Sequence, residues 1–129
     1  MDLSVASALT DLAAQQPGLE MFLLVGSRAR GDHRPDSDWD FAYTGTAALD
    51  SFDLMGKLNL LLKTDKVDLA DLDRAGGLFR YRAAKDARVL FEQIPGSFRA
   101  FWLKAVDFWC DAQPVIRKNV DSVLGRMAK

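Results

Sequence analysis

The sequence predicts one α+β domain, a mixed α/β arrangement of helices and four short strands. Its 129 residues are close to the usual length of a single domain, and 49% of them are hydrophobic, enough for a core without covalent staples. Segments with apolar residues at helical spacing alternate along the chain with short runs that suit strands. The single cysteine, Cys110, excludes a disulfide within the chain and indicates a reducing compartment.

Charge and hydropathy argue against several classes of protein. The 17 basic and 18 acidic side chains give a net charge of −1, whereas a dedicated nucleic-acid binder usually has a strong basic excess. The longest apolar run, Met21–Val25, is far shorter than the ~20 residues that cross a bilayer. Asp2 and Asp11 stand where a secretion signal would need basic residues. We therefore expect a cytoplasmic protein that binds neither a membrane nor nucleic acid directly.

The first part of the chain is predicted to run helix, strand, loop and strand. Apolar residues at i, i+4, i+7 and i+8 predict a helix over residues 4–16, and the Pro-Gly pair that follows ends it. Met21–Val25 is a short apolar run typical of a buried strand. Residues 26–37 are polar and rich in Gly and Arg, which indicates a loop, and the alternation over residues 39–43 predicts a second strand.

The middle of the chain is predicted to add two helices and two strands. Residues 49–62 have apolar side chains at helical spacing, and we expect these to share one buried side: Phe52, Met55, Leu58, Leu61 and Leu62. Residues 66–70 and 88–92 suit two further strands, and a short helix is expected within residues 73–86.

The end of the chain is predicted to be helical from Ser97, a candidate N-cap. Pro114 should kink or split this helix, and a second piece is expected over Val115–Met127. Apolar and aromatic residues form one stripe on the first piece: Phe98, Phe101, Trp102, Ala105, Val106 and Trp109. The stripe fits either packing in the core or docking to a partner protein, and the sequence leaves both open.

Three carboxylates carry the chemistry. Asp38 and Asp40 flank Trp39 at the start of the second predicted strand. Side chains at i and i+2 of a strand point to the same face, with Cβ atoms roughly 6–7 Å apart, a span that a divalent cation such as Mg²⁺ can bridge. Asp68 lies in another predicted strand. If the two strands pair, the three carboxylates meet as a two-metal phosphoryl-transfer site requires.

Gly26 and Ser27 supply the groups that suit a phosphate. A glycine after a buried strand lets the backbone approach a phosphate closely. The N–H groups that follow and the Ser27 hydroxyl could then bind phosphate oxygens at a helix N-terminus. Arg28 and Arg30 are within reach as cationic clamps for a triphosphate or for pyrophosphate.

These segments together resemble a known family. The motifs are GSRARG from Gly26, SDWDF from Ser37 and VDL from Val67, and they are similar to the minimal nucleotidyltransferase (MNT) domains of the DNA polymerase β superfamily. The likeness covers most of residues 1–95. It is strongest to the MNT-domain antitoxins that are paired with HEPN-domain ribonuclease toxins.

The resemblance implies a polymerase-β-like sheet packed on helices, two Mg²⁺ ions and ATP as the donor substrate. It implies an antitoxin of a type VII-like system, which transfers AMP, sometimes several units in series, to a tyrosine hydroxyl of the HEPN toxin. Asp38, Asp40 and Asp68 would then be catalytic metal ligands, with Asp68 also a candidate base. Gly26 and Ser27 would hold the nucleotide phosphates.

The pattern along the chain predicts a single domain, residues 1–129, with a catalytic core over 1–96 and a C-terminal helical arm over 97–129. Two other functions compete with protein adenylylation. The chain could neutralise its toxin by binding alone, with a vestigial acidic site, or it could modify the hydroxyl of a small molecule or of an RNA end. The chain has no evident second domain to bind such an acceptor, so we favour a protein acceptor that brings its own surface.

Overall fold

A computed structural model of the protein describes residues 2–112, which form five helices and four strands. The elements are α1 (Leu3–Gln15), β1 (Leu19–Val25), α2 (Gly26–Arg30), β2 (Trp39–Gly45), α3 (Ser51–Leu62), β3 (Val67–Asp71), α4 (Gly77–Asp86), β4 (Arg88–Glu92) and α5 (Ser97–Ala112). The predicted α+β class is confirmed. The predicted kink at Pro114 and the helix over Val115–Met127 lie outside the described residues.

The four strands form one mixed sheet in the order β3-β2-β1-β4. β2 lies between an antiparallel neighbour, β1, and a parallel neighbour, β3, while β4 pairs antiparallel with the other edge of β1. The register pairs Val25 with Asp40 and Asp40 with Asp68. The end of β1 and the starts of β2 and β3 therefore meet at the same end of the sheet.

Each face of the sheet has its own apolar core. One face packs on α4 and α5 and includes Leu23 and Val25 of β1. The opposite face packs on α1 and α3 and includes Phe22 and Leu24. Successive side chains of a strand point to opposite faces, so β1 contributes to both cores. This double burial explains why its sequence is apolar almost throughout.

The start of the predicted C-terminal arm belongs to the core. Phe101, Trp102, Ala105 and Val106 of α5 are buried against the sheet and α4, so the core interpretation of the aromatic stripe holds for these four residues. Ser97 is the first residue of the helix rather than its N-cap. Because a carboxylate can reach the free N–H groups of a helix start, Glu92 takes the capping role. Its Oε2 accepts a hydrogen bond of 2.7 Å from the backbone N–H of Phe98.

The predicted buried side of α3 is partly wrong. Leu54 and Leu58 are fully buried, whereas Phe52 is 89% exposed and Leu61 also lies at the surface. Apolar residues occur on most sides of this helix, and so their spacing fits more than one buried face. The side chain of Asp50 caps the helix by accepting a hydrogen bond from the N–H of Asp53 and fixes where the helix begins.

The polar stretch after β1 is not wholly a loop. Its first five residues form the short helix α2, which ends at Gly31 in a left-handed conformation. Apolar spacing cannot predict so short a helix, since Ala29 is its one buried residue. Among residues 2–112, no helix has the length and apolar content needed to cross a membrane.

Phe101→Ala should lower the free energy of unfolding by about 3–5 kcal/mol, because it removes a buried ring and leaves a cavity. Phe101 is 8% exposed, and Phe52 on α3 provides a matched aromatic residue at the surface. Phe52→Ala should change the stability by less than about 0.5 kcal/mol. Urea denaturation of the full chain measures both values, and equal small effects would show that α5 is not part of the core.

Candidate active site

The carboxylates predicted to act together come from adjacent strands at one end of the sheet. Asp40 of β2 and Asp68 of β3 are direct partners in the parallel pairing, and Asp38 lies two residues before Asp40, immediately before β2. Side chains on one face of adjacent strands are close neighbours. Asp40 and Asp68 both line a cavity of about 300 Å³ at this end of the sheet.

The surroundings of Asp40 change its ionisation. The pKa of Asp40 is raised above its ordinary value, first because the side chain is partly buried and then because the negative charges of Asp68 and Asp38 disfavour a third charge beside them. A hydrogen bond with Asp68 acts in the same direction, and the positive charge of Arg30 opposes it. The site thus concentrates negative charge that no neighbouring cation fully balances.

Gly26 brings the backbone against the central carboxylate. It has a φ of +72°, a left-handed conformation that residues with a side chain rarely adopt. A Cβ atom at this position would lie 2.5 Å from Oδ2 of Asp40, closer than two such atoms can pack. Only glycine therefore satisfies both the turn from β1 into α2 and the contact with Asp40.

Ser27 follows at the start of α2, where no side chain caps the helix. Its carbonyl oxygen accepts hydrogen bonds from the N–H groups of Gly31 and Asp32, at 2.9 and 3.1 Å, which closes the turn after α2. Its hydroxyl is not among the groups that line the cavity. The structure thus places Gly26 against the carboxylates and Ser27 one residue farther along the chain.

Arg28 holds a loop. Its guanidinium donates hydrogen bonds to the carbonyl oxygens of Ser37, at 2.9 Å from Nη2, and of Pro35, at 3.3 Å. It also lies 4.1 Å above the centre of the Trp39 ring, a favourable cation–π distance. These contacts fix both sides of Asp38, and Arg28 does not line the cavity of the carboxylates. Its predicted role as a phosphate clamp therefore finds no support in its position.

Arg30 lines the cavity of the carboxylates, and its role as a cationic clamp stays a prediction. Its side chain is shared between two carboxylates, with Nε 3.2 Å from Oδ2 of Asp32 and Nη1 3.5 Å from Oδ2 of Asp86. Hydrogen bonding and charge from Asp32 raise the pKa of Arg30 further, so it stays protonated. The pair with Asp86 links the end of α2 to the end of α4.

Helix α4 forms a wall of the cavity that the sequence analysis missed. Its contribution consists of Phe79, Arg82, Ala83 and Asp86. These positions are i, i+3, i+4 and i+7, the spacing of one helical face. The spacing was visible in the sequence, but it mixes apolar and charged residues, so a search for an apolar stripe does not single it out.

The carboxylates suit a divalent metal ion in their chemistry. Hard cations such as Mg²⁺ bind carboxylate oxygens. The pKa of Asp40 is raised first by burial and then by repulsion from Asp68 and Asp38, and a bound cation would relieve that repulsion. Within residues 2–112, no three Asp, Glu, His or Cys side chains are grouped so that they could hold a metal as they stand. Asp38 is exposed, and its side chain must turn toward Asp40 and Asp68 to become a third ligand.

Comparison with known proteins identifies the family of the chain. Residues 7–95 match the family model described as polymerase beta, nucleotidyltransferase, and the chain belongs to this family. It is 33% identical over 102 residues to the protein adenylyltransferase MntA of Aphanizomenon flos-aquae (strain 2012/KM1/D3), a match that covers 70% of this chain and 68% of the relative.

Solved structures show the same fold. One is a toxin–antitoxin with AMP-PNP, with a TM-score of 0.69 at 24% identity, covering 95% of this chain and 99% of the other. Another is the tri-AMPylated HEPN toxin of Shewanella oneidensis in complex with an MNT antitoxin, with a TM-score of 0.67 at 22% identity. In that case the match covers 96% of this chain and 99% of the other.

Gly26→Ala should abolish nucleotidyl transfer, because the added methyl group displaces the carboxylate of Asp40. Gly31→Ala is a matched control. Gly31 also has a positive φ, +87°, but a Cβ atom there would meet nothing within 4 Å. Both variants should lose about 1–2 kcal/mol of stability from backbone strain, as measured by urea denaturation, and only Gly26→Ala should lose activity. Equal activity in the two variants would contradict the role of the contact with Asp40.

Asp40→Asn should stabilise the metal-free chain at neutral pH, and the gain should disappear at acid pH. The folded-state pKa of Asp40 lies above the ordinary value of 3.8. The folded chain therefore binds this proton more tightly than the unfolded chain and loses stability as the pH rises through the interval between the two pKa values. Unfolding in EDTA at pH 7 and near pH 3 tests this. The exposed Asp36, changed to Asn, is the control, and an equal gain at both pH values would contradict the prediction.

Proposed function

We propose that this chain is the antitoxin of a HEPN/MNT toxin–antitoxin pair and that it neutralises its toxin by protein adenylylation. It transfers one or more AMP units from ATP to a tyrosine hydroxyl of the toxin. The observation that carries the proposal is the in-register pair of Asp40 and Asp68 beside Gly26, at the edge of an open cavity. The similarity to a protein adenylyltransferase supports it.

The reaction forms one bond and breaks one. The acceptor oxygen attacks the α-phosphorus of ATP, the bond from that phosphorus to the bridging oxygen of the β-phosphate breaks, and pyrophosphate leaves with the electron pair. The proton of the acceptor hydroxyl passes to Asp68 or to solvent. Two Mg²⁺ ions held by Asp38, Asp40 and Asp68 would lower the pKa of the acceptor hydroxyl and offset charge on the pyrophosphate.

The protein contributes to catalysis by positioning the reactants and by stabilising charge. These two effects account for most of the catalysis in phosphoryl transfer. β2 and β3 fix the spacing of Asp40 and Asp68, and Arg28 holds the backbone on either side of Asp38. Gly26 and Ser27 offer backbone N–H groups to the phosphates where α2 begins. Arg30 adds a positive charge at the same end of the cavity.

The small volume of the cavity favours a protein acceptor, whose surface would complete the site. At about 300 Å³, it is at the lower limit of ligand sites in proteins, so it cannot enclose a nucleotide and a second substrate together. Leu78 and Phe79 at the start of α4 are 43% and 40% exposed and offer apolar contacts to an incoming protein. We therefore infer that the HEPN toxin completes the site, in the cytoplasm where ATP is available.

All the residues of this mechanism lie within residues 1–96. We propose that this part is the catalytic core and that residues 97–129 act as a helical arm whose first turns stabilise it. The burial of Trp102 and Val106 against the same face of the sheet that carries Asp40 supports this division of labour.

Asp38→Asn and Asp40→Asn should each reduce AMP transfer to the toxin by roughly 100-fold or more, since each removes a charge that the transition state requires. The toxin is co-purified with the antitoxin, incubated with Mg²⁺ and ATP labelled on the α-phosphate, and analysed by intact mass. Asp36→Asn is the control, since it removes an exposed carboxylate two residues before Asp38 and should leave transfer unchanged.

Two results would favour another function, and a third would remove the carboxylates from the mechanism. A stable complex without any added mass, in which Asp38→Asn still protects cells from the toxin, would favour neutralisation by binding alone. AMP on an RNA end or on a small molecule, but not on the toxin, would favour a different acceptor. Transfer that survives in both variants would exclude the carboxylates as the catalytic groups.

A further inference from the structure

The two cations that line the cavity differ in whether they are paired with carboxylates of the protein. The lining carries three carboxylates, from Asp40, Asp68 and Asp86, and two guanidinium groups, from Arg30 and Arg82. Arg30 is shared between Asp32 and Asp86. Arg82 has neither an ion pair nor a hydrogen bond within the part of the chain that the structure describes. One cation of the cavity is thus committed to protein carboxylates, and the other is available to a ligand.

Arg82 does not act as the counter-ion of the carboxylates. Arg82 lines the same cavity as Asp40 and Asp68, yet none of the ion pairs among residues 2–112 joins its guanidinium to either carboxylate. A structural role would place Arg82 against one of these acids, as Arg30 is placed against Asp86, and the side chain is instead exposed.

The position of Arg82 on α4 is defined by its neighbours on the same face. It lies one turn before Asp86, which is tied to Arg30 at the end of α2, and three residues after Phe79. With a rise of ~1.5 Å per residue, Arg82 is about 6 Å along the helix axis from Asp86. The part of the cavity lining that α4 supplies therefore carries a cation between Phe79 and Asp86.

A nucleoside triphosphate would use this cation. The reacting α-phosphorus must lie beside Asp40 and Asp68, and the β- and γ-phosphates would extend along the cavity, whose lining includes both Gly26 and Arg82. Negative charge develops on the leaving pyrophosphate, and a guanidinium in a partly enclosed site stabilises such charge and binds phosphate oxygens in pairs. We propose that Arg82 binds the β- and γ-phosphates of the donor nucleotide and stabilises the leaving pyrophosphate. This inference rests on the proposed adenylyl transfer.

The inference is tested with the variant Arg82→Ala in the full chain. Calorimetry measures how tightly this variant binds two probes, each in the presence of Mg²⁺: a hydrolysis-resistant ATP analogue and pyrophosphate. We expect the Kd of both probes to rise roughly 10- to 100-fold, as the loss of charge-assisted hydrogen bonds predicts. Lys85→Ala is the matched control. It removes one positive charge from an exposed side of the same helix, away from the cavity, and should change each Kd by less than about twofold.

Arg82→Lys serves as a second variant, which keeps the charge but not the paired hydrogen bonds, and its loss should be smaller than that of Arg82→Ala. Binding of either probe by Arg82→Ala within twofold of the wild type would overturn the inference, as would an equal loss in Lys85→Ala. If the wild type binds both probes and transfers AMP while Arg82→Ala is unaffected, only the role of Arg82 fails. If the wild type neither binds ATP nor transfers AMP, the proposed function itself fails.

Discussion

The double pairing of β2 is the constraint on which the rest of the structure depends. This strand is antiparallel to β1 and parallel to β3, so the end of one neighbour and the start of the other meet at its first residues. Gly26, Asp40 and Asp68 come from distant parts of the sequence and are neighbours for this reason alone. The apolar cores on both faces of the sheet stabilise this arrangement, and the residues of the site contribute little to its stability.

The site in fact opposes the stability of the fold. Burial and like charges raise the pKa of Asp40, and the left-handed glycine at position 26 keeps the space beside it free of any side chain. Another small residue, Ala83 of α4, also lines the cavity. A raised pKa and unbalanced charge at one place in an otherwise well-packed domain are typical of a functional site.

Much of this architecture could be predicted from the sequence, because the strands are short apolar runs and the acidic motif stands at the start of one of them. The pairing of the Asp68 strand with β2 could be stated only as a condition for the site, because sequence periodicity does not specify which strands pair. The place of Arg28 two residues after Gly26 predicts a contact with phosphates, whereas its contacts with Ser37 and Trp39 depend on how a polar loop folds back and have no signal in the sequence. The cavity wall on α4 was missed because charged residues on a helical face usually indicate solvent.

The central claim is that Asp40 and Asp68, paired across β2 and β3, form a metal-dependent nucleotide site. Crystals of the protein soaked with Mn²⁺ and a hydrolysis-resistant ATP analogue would test it through the anomalous signal of the metal. The account predicts a peak between Asp40 and Asp68, with Asp38 turned inward as a further ligand and the phosphates beside Gly26. A bound nucleotide whose metal makes no contact with Asp40 or Asp68 would contradict it.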